Sequence, residues 1–230
     1  ATLLHTGPGL GNGLANLHNA RKARSPVVNI VGEHATYHIR HDAPLTSDIE
    51  GIAAPVSDWV KTSRSAEEVS RDGAQAIAEA RKTPGRIATL ILPADTAWNE
   101  ASSGATVPSV PNPETVNSNA LDECVRVLRS GEPVMLLLGN KGLRSKALEW
   151  AGRIAKKTGA VLHSESSAAR TERGAGRVGV TRIPYVVDQA LEVTRPFKHL
   201  ILAGAKAPVA FFAYPGNCLL YTSPSPRDRG

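Results

Sequence analysis

The sequence predicts an α/β protein built from two parallel-sheet units, and three observations carry that expectation. Short runs rich in branched apolar residues, at 27–31, 87–92, 134–138 and 199–203, have the length of strands buried on both faces. Between them lie alanine- and leucine-bearing stretches at helical spacing, such as 65–81 and 144–157. From 98 to 115 the composition turns to Ser, Gly, Pro and Asn, with Pro108, Pro111 and Pro113 near-regularly spaced, which marks an interdomain linker.

Taken in order, 1–5 reads as the end of a strand, Gly7, Gly9, Gly11 and Gly13 as a glycine loop, and the segment up to Arg24 as a helix. The strand at 27–31 closes on Gly32 and leads into a loop carrying His34, His38 and His41. Ser65 is placed to cap the helix 65–81, with Glu67 and Glu68 in its first turn and Pro84 and Gly85 stopping it. The strand 87–92 ends at Pro93. Beyond the linker follow helix 119–129, strand 134–138, helix 144–157, strand 160–163, helix 185–193 and strand 199–203. Such alternation implies crossover helices over a parallel sheet in each half. The expected divisions are a partial N-terminal unit at 1–98, a linker at 99–116, a central Rossmann-like unit at 117–216 and a separate tail at 217–230.

Composition narrows the function. With 230 residues, 41% hydrophobic and 21% charged, the chain suits one or two ordinary globular cores. No apolar run reaches the roughly 18 to 20 residues that span a bilayer, so no membrane partner is expected. The formal charge of +6 raises the question of nucleic acid. The positive residues are scattered, however, and Arg21, Lys22 and Arg24 read as one solvated helix face. Aromatics at 4% leave few platforms for stacking bases, so nucleic acid is not an expected partner. Two cysteines, Cys124 and Cys218, make no disulfide framework and suit a reducing cytoplasm. The start at Ala1, without methionine or leader, reads as a position inside a longer chain. From Cys218 the segment Cys-Leu-Leu-Tyr-Thr-Ser-Pro-Ser-Pro-Arg-Asp resembles the translation of a transposase-type sequencing adapter and is expected to lie outside the sheet.

Chemistry concentrates after the first strand. His5-Thr6-Gly7-Pro8-Gly9-Leu10-Gly11-Asn12-Gly13 follows a strand and opens a helix, the place where open α/β sheets bind ligands. Its glycines permit close backbone approach, and a helix N-terminus offers free N–H groups. The spacing departs from a dinucleotide fingerprint, which leaves a nucleotide-binding module as the alternative reading and a plain structural turn as the bland one. His34, His38 and His41 have a spacing that would align them on a helix face as metal ligands, but nearby Pro44 favours a polar loop. Arg170, Arg173 and Arg177 read as surface arginines in a loop.

These motifs carry a family resemblance. Leu4-His5-Thr6-Gly7-Pro8-Gly9 with Asn12, then Asn16-Leu17-His18-Asn19-Ala20, Ser25-Pro26-Val27-Val28, Gly32-Glu33, Asp42-Ala43, Asp48-Ile49 and Pro55-Val56 are similar to the pyrimidine-binding domain of acetolactate synthase large subunits and benzoylformate decarboxylases. The segment from Asn119 to Gly216 more loosely resembles the six-stranded central domain of the same thiamine-diphosphate-dependent family. The resemblance implies decarboxylation or carboligation of a 2-oxo acid, with the cofactor as electron sink. It implies cofactor contacts at Gly7, Pro8, Gly9, Asn12 and Glu33, the last standing where the family commonly has glutamine. It makes His5 the catalytic candidate, matching a decarboxylase histidine whose usual pKa suits proton transfer. A second decarboxylase histidine has no counterpart near residues 208–214, where Phe211 and Phe212 stand; they read either as lining a substrate pocket or, as adjacent aromatics more often do, as split between core and interface. It further implies Mg²⁺ held by a domain after Gly216, a catalytic glutamate before Ala1, FAD in the central domain of some members, and a homodimer or homotetramer whose cofactor lies between subunits. On that basis the chain by itself is expected to be inactive.

Overall fold

The computed structural model describes residues 1–213 and Pro215, so the adapter-like tail and Tyr214 lie outside the described residues. The chain divides into two compact units, Ala1–Pro113 and Glu114–Gly230. Each is a parallel sheet with helices on both faces, the α/β class read from the sequence.

In the first unit the elements run β1 (Thr2–His5), α1 (Thr6–Lys22), β2 (Val27–Glu33), α2 (Ile49–Ala53), β3 (Trp59–Thr62), α3 (Ala66–Arg81), β4 (Ile87–Pro93) and the single turn α4 (Asp95–Trp98). The sheet order is β1-β2-β4-β3, all parallel. From β1 to β2 and from β2 to β3 the chain moves across the sheet in one direction, and from β3 to β4 it steps back. Right-handed crossovers therefore put α1 and α2 on one face and α3 on the other. The core follows that division. Leu10, Leu17, Val31, Ile49, Ile87 and Ile91 pack beneath α1 and α2, while Ala76 and Ala80 of α3 lie against Ala88 and Leu90. Fully burying a side chain such as Leu10 or Ile87 stabilises the unit by about 1.5–3 kcal/mol.

The expected glycine loop is absent. Strand β1 passes directly into α1 through Thr6, whose φ of 54° makes the whole turn and which is only 1% exposed. Leu10, Leu14 and Leu17 recur at helical spacing and pack into the core, and their burial outweighs the low helix propensity of the glycines among them. Two of those glycines have a packing reason. A Cβ on Gly7 would collide with Ser47, and one on Gly13 would fall 2.8 Å from Leu4 Cδ1.

A line of polar side chains crosses this sheet under α1. Thr2 Oγ1 donates to Asn29 Oδ1 (2.7 Å), Asn29 Nδ2 donates to Thr89 Oγ1 (3.1 Å), and Ser57 Oγ shares a 2.7 Å hydrogen bond with Thr89 Oγ1. Asn29 and Thr89 are wholly buried, so these bonds supply partners that water cannot.

Helix α3 begins after Ser65 as expected, but the Ser65 hydroxyl caps nothing; the Glu68 carboxylate instead accepts from the Arg64 N–H at 2.9 Å. The expected linker is partly fastened. Ser102 donates through its N–H and hydroxyl to Glu67 (2.9 and 2.8 Å), and the Ala105 N–H donates to Ser70 Oγ (2.7 Å), so residues 102–105 run along α3.

The second unit contains α5 (Ser118–Leu128), β5 (Val134–Leu138), α6 (Ser145–Thr158), β6 (Val161–Ser164), β7 (Thr181–Arg182), α7 (Val187–Thr194) and β8 (His199–Ala203). Its order is β7-β6-β5-β8, again all parallel, and four strands are present among the described residues where the resemblance implied six. Leu136, Leu138 and Leu162 face α6, while Met135 and Leu137 face α7. The side chain of Asn117 caps α5, accepting from the N–H groups of Asn119 and Ala120. Gly159, with φ 77°, ends α6 after Lys156 and Lys157, whose charges suit the negative end of the helix.

Candidate functional site

Because all four strands of the first unit run parallel, their C-terminal ends share one edge, where sheets of this kind bind ligands. That edge carries His5 of β1, Glu33 of β2, Thr62 of β3 and Pro93 of β4. His5 is exposed and lies opposite Gly32 in the strand register. A Cβ on Gly32 would stand 3.7 Å from His5 Nδ1, in ordinary contact, so the imidazole lies directly over the glycine. Alternation along the strands separates the two expected polar residues. Leu4 and Val31 pack under α1, so His5 emerges on the opposite face and Glu33 on the α1 face. One Glu33 oxygen accepts from the His34 N–H at 2.7 Å.

Beside His5 the first turn of α1 opens onto the same edge. The Thr6 hydroxyl donates to the His5 carbonyl at 2.7 Å, holding the turn. Pro8 and Asn12 are exposed and Gly9 is half-buried, so these three border open space. Gly7 is buried beneath Ser47, and its missing side chain serves the packing of that loop.

Residues 34–48 form the remaining wall. The loop is tied to the end of β4 by Thr36, whose N–H and hydroxyl both donate to the Asp95 carboxylate (2.9 and 2.5 Å). The Thr36 hydroxyl, acting first, holds the Asp95 carboxyl below its ordinary pKa. His34, His38 and His41 do not share a helix face. Their rings meet edge-on or tilted at 5.2 and 6.1 Å, and Arg40 Nε donates to His41 Nε2 at 3.3 Å. Among the described residues no three His, Cys, Asp or Glu groups are placed to hold a metal ion. Ser47 and the Thr36–Asp95 pair were not foreseen from sequence, since each depends on a contact across a loop.

In the second unit Arg170 lies 3.7 Å from Glu172, while Arg173 and Arg177 are exposed, in keeping with a surface loop. Phe211 is half-exposed and rests against Tyr185 with ring centroids 4.4 Å apart. A groove of about 820 Å³ between α6 and the starts of β6 and β7 is lined by Arg153, Lys156, Leu162 and Val178. It lies at the opposite end of the strands from the edge where ligands bind in parallel sheets.

Residues 1–52 match the family model described as thiamine pyrophosphate enzyme, N-terminal TPP binding domain. Over that segment the chain is similar to thiamine-diphosphate-dependent enzymes. The chain is 49% identical over 216 residues to IlvX of Mycobacterium tuberculosis, a protein that carries the name of an acetolactate synthase large subunit. The match takes in 94% of the chain and 41% of IlvX, so the chain spans about two fifths of that protein's length. Two solved structures share the fold. A Mycobacterium smegmatis protein described as a thiamin diphosphate-dependent enzyme superposes with a TM-score of 0.78 at 23% identity, covering 96% of this chain and 42% of its own. The thiamine diphosphate-dependent 4-hydroxybenzoylformate decarboxylase of Rhodococcus jostii gives 0.77 at 22% identity, with the same coverage. The family match takes in β1, the first turn of α1 and Glu33 on the strand-end edge, while Thr62 and Pro93 of that edge lie beyond it. No helix among the described residues is long and apolar enough to cross a membrane.

Proposed function

We propose that this chain is part of a thiamine-diphosphate-dependent enzyme that decarboxylates or joins 2-oxo acids, in the manner of an acetolactate synthase. The observation that carries the reading is the exposed His5 at the end of β1, standing over Gly32 beside the open first turn of α1 in the segment that matches the family. The bound cofactor supplies an electron sink for the carbanion left when a 2-oxo acid loses its carboxylate. The chain's own residues do the rest of what falls on this edge. Gly9, Pro8 and Asn12 would hold the cofactor's pyrimidine ring, Gly7 keeps the turn closed under Ser47, and Glu33 would offer a carboxylate on the α1 side. His5, with solvent access, delivers or removes a proton at the reacting carbon.

Mg²⁺ and the diphosphate fall to another part of a longer protein, since the chain spans about two fifths of the length of IlvX. The 230-residue chain alone is then inactive, and the working enzyme is a cytoplasmic homodimer or homotetramer. The test is turnover of a 2-oxo acid by a chain extended to the length of its relatives, with and without His5→Ala. We expect kcat to fall at least tenfold with little change in the cofactor concentration required. Unchanged kcat would remove His5 from the chemistry, and failure of the extended chain to bind thiamine diphosphate would remove the whole assignment.

A further inference from the structure

The strand order of the second unit, β7-β6-β5-β8, puts the point where strand order reverses between β5 and β8. In dinucleotide-binding folds this switch point is the ligand crevice. The diphosphate sits at the turn after the first strand and the N-terminus of the following helix, and an acidic residue after the second strand takes the ribose. Here the corresponding parts are Gly139 to Gly142, the N-terminus of α6 and Glu165. The layout alone would argue for a nucleotide site.

The contacts argue against it. The backbone of the turn is pressed onto the end of β8: the Gly139 N–H donates to Ala203 O at 3.0 Å, and a Cβ on Gly204 would fall 2.7 Å from Gly139 O. A Cβ on Gly142 would fall 2.9 Å from Ala203 O. These glycines thus let the turn lie close against the end of β8 in a backbone-to-backbone seam. A Cβ on Gly139 would collide with Glu165 Oε1, and the other Glu165 oxygen accepts from the Lys206 N–H at 3.3 Å, so this carboxylate lies across the seam. At the start of α6 the Glu172 carboxylate accepts from the Ser145 N–H at 2.8 Å and from the Ser145 hydroxyl. Arg144 and Arg170 stand 3.9 and 3.7 Å from its other oxygen. The helix end and both arginines, the groups that would receive a diphosphate, are already engaged by an anion of the chain itself.

We infer that Glu165 and Glu172 are specificity-determining residues that close the switch point of the second unit to diphosphate-bearing ligands, so that neither FAD nor an adenine nucleotide binds there. Hydrogen bonding from Ser145 keeps the Glu172 carboxyl below its ordinary pKa, so its charge persists at neutral pH. The inference is independent of the thiamine reading, which concerns the other unit.

The test is amide hydrogen exchange of residues 139–145 in the intact chain, with ADP and with FAD as probes. We expect no ligand-induced protection in the wild-type chain and at least tenfold slower exchange with ADP in Glu165→Ala/Glu172→Ala. Should the alanine pair fail to fold, Glu165→Gln/Glu172→Gln removes the charge while keeping one acceptor oxygen on each side chain, and should show a smaller gain. Protection of this turn by either probe in the wild-type chain overturns the inference. So does a folded glutamine pair that gains nothing.

Discussion

Thr36 grips Asp95 twice, through its N–H at 2.9 Å and its hydroxyl at 2.5 Å, and so joins the loop after β2 to the turn after β4 across 59 residues of sequence. Removing the carboxylate should free the loop while leaving the sheet intact. In Asp95→Ala, amide exchange in residues 34–48 should quicken at least tenfold, with Asp95→Asn in between. Because the folded carboxyl titrates below its ordinary value of 3.8, its contribution is present above that pH and is lost as pH falls through the lower folded value. Exchange in the loop that is equally slow in wild type and Asp95→Ala at neutral pH would show that the tie is idle.

The glycines of α1 should separate by environment. Gly7→Ala forces a methyl into Ser47 and should cost about 1–3 kcal/mol. Gly11→Ala meets nothing within 4 Å and should stabilise the helix by about 0.5–1 kcal/mol. Urea midpoints of the two variants should move in opposite directions; a shared direction would contradict the packing described for Ser47.

Thr89 is the hub of the buried polar line. Thr89→Val keeps the shape but leaves Asn29 Nδ2 and Ser57 without this partner, and should cost about 1–3 kcal/mol. Thr2→Val, at the exposed end of the line, should cost much less. Chemical denaturation of the two variants side by side decides it, and equal losses would refute the ranking.

His163 lies 7% exposed between the second sheet and the layer of α7, edge-on to Phe197 at 6.2 Å, and its Nδ1 has no partner among the described residues. Burial lowers its pKa from 6.5, so the unfolded chain takes up a proton first as pH falls. Stability of the second unit should decline below that value and level off under the folded pKa. His163→Leu should flatten the dependence of the denaturation midpoint between roughly pH 7.5 and 5. A slope that persists in the leucine variant would assign it to other groups.

The apolar strands β4 and β5 announce themselves, since few other structures hide runs such as Ile87 to Leu92. Strand β3 was not legible: Trp-Val-Lys-Thr is an edge strand, half-buried throughout, and carries no run of branched residues. Nor was β7, which is two residues long. The glycine stretch misled because four glycines in seven residues resemble a loop, although Leu10, Leu14 and Leu17 already had the helical period. At the site, His5 was singled out by the family resemblance, since its place at a strand end alone reads as a structural histidine. The wall fixed by Ser47 and the Thr36–Asp95 tie was not, because neither contact is local in sequence. In the arginine cluster of the second unit the informative residue was the acid among the bases, Glu172, whose sign reverses what the arginines alone suggest.

The bonds from Ser102 and Ala105 to α3 also bear on how the polypeptide meets a protease. An enzyme must draw an extended segment into its cleft, and residues 102–105 would have to be peeled off Glu67 and Ser70 first. Cutting should therefore begin farther along, within the proline-spaced stretch up to Asn117, and release a first piece that still carries its Ser-Gly-rich end wrapped on the helix.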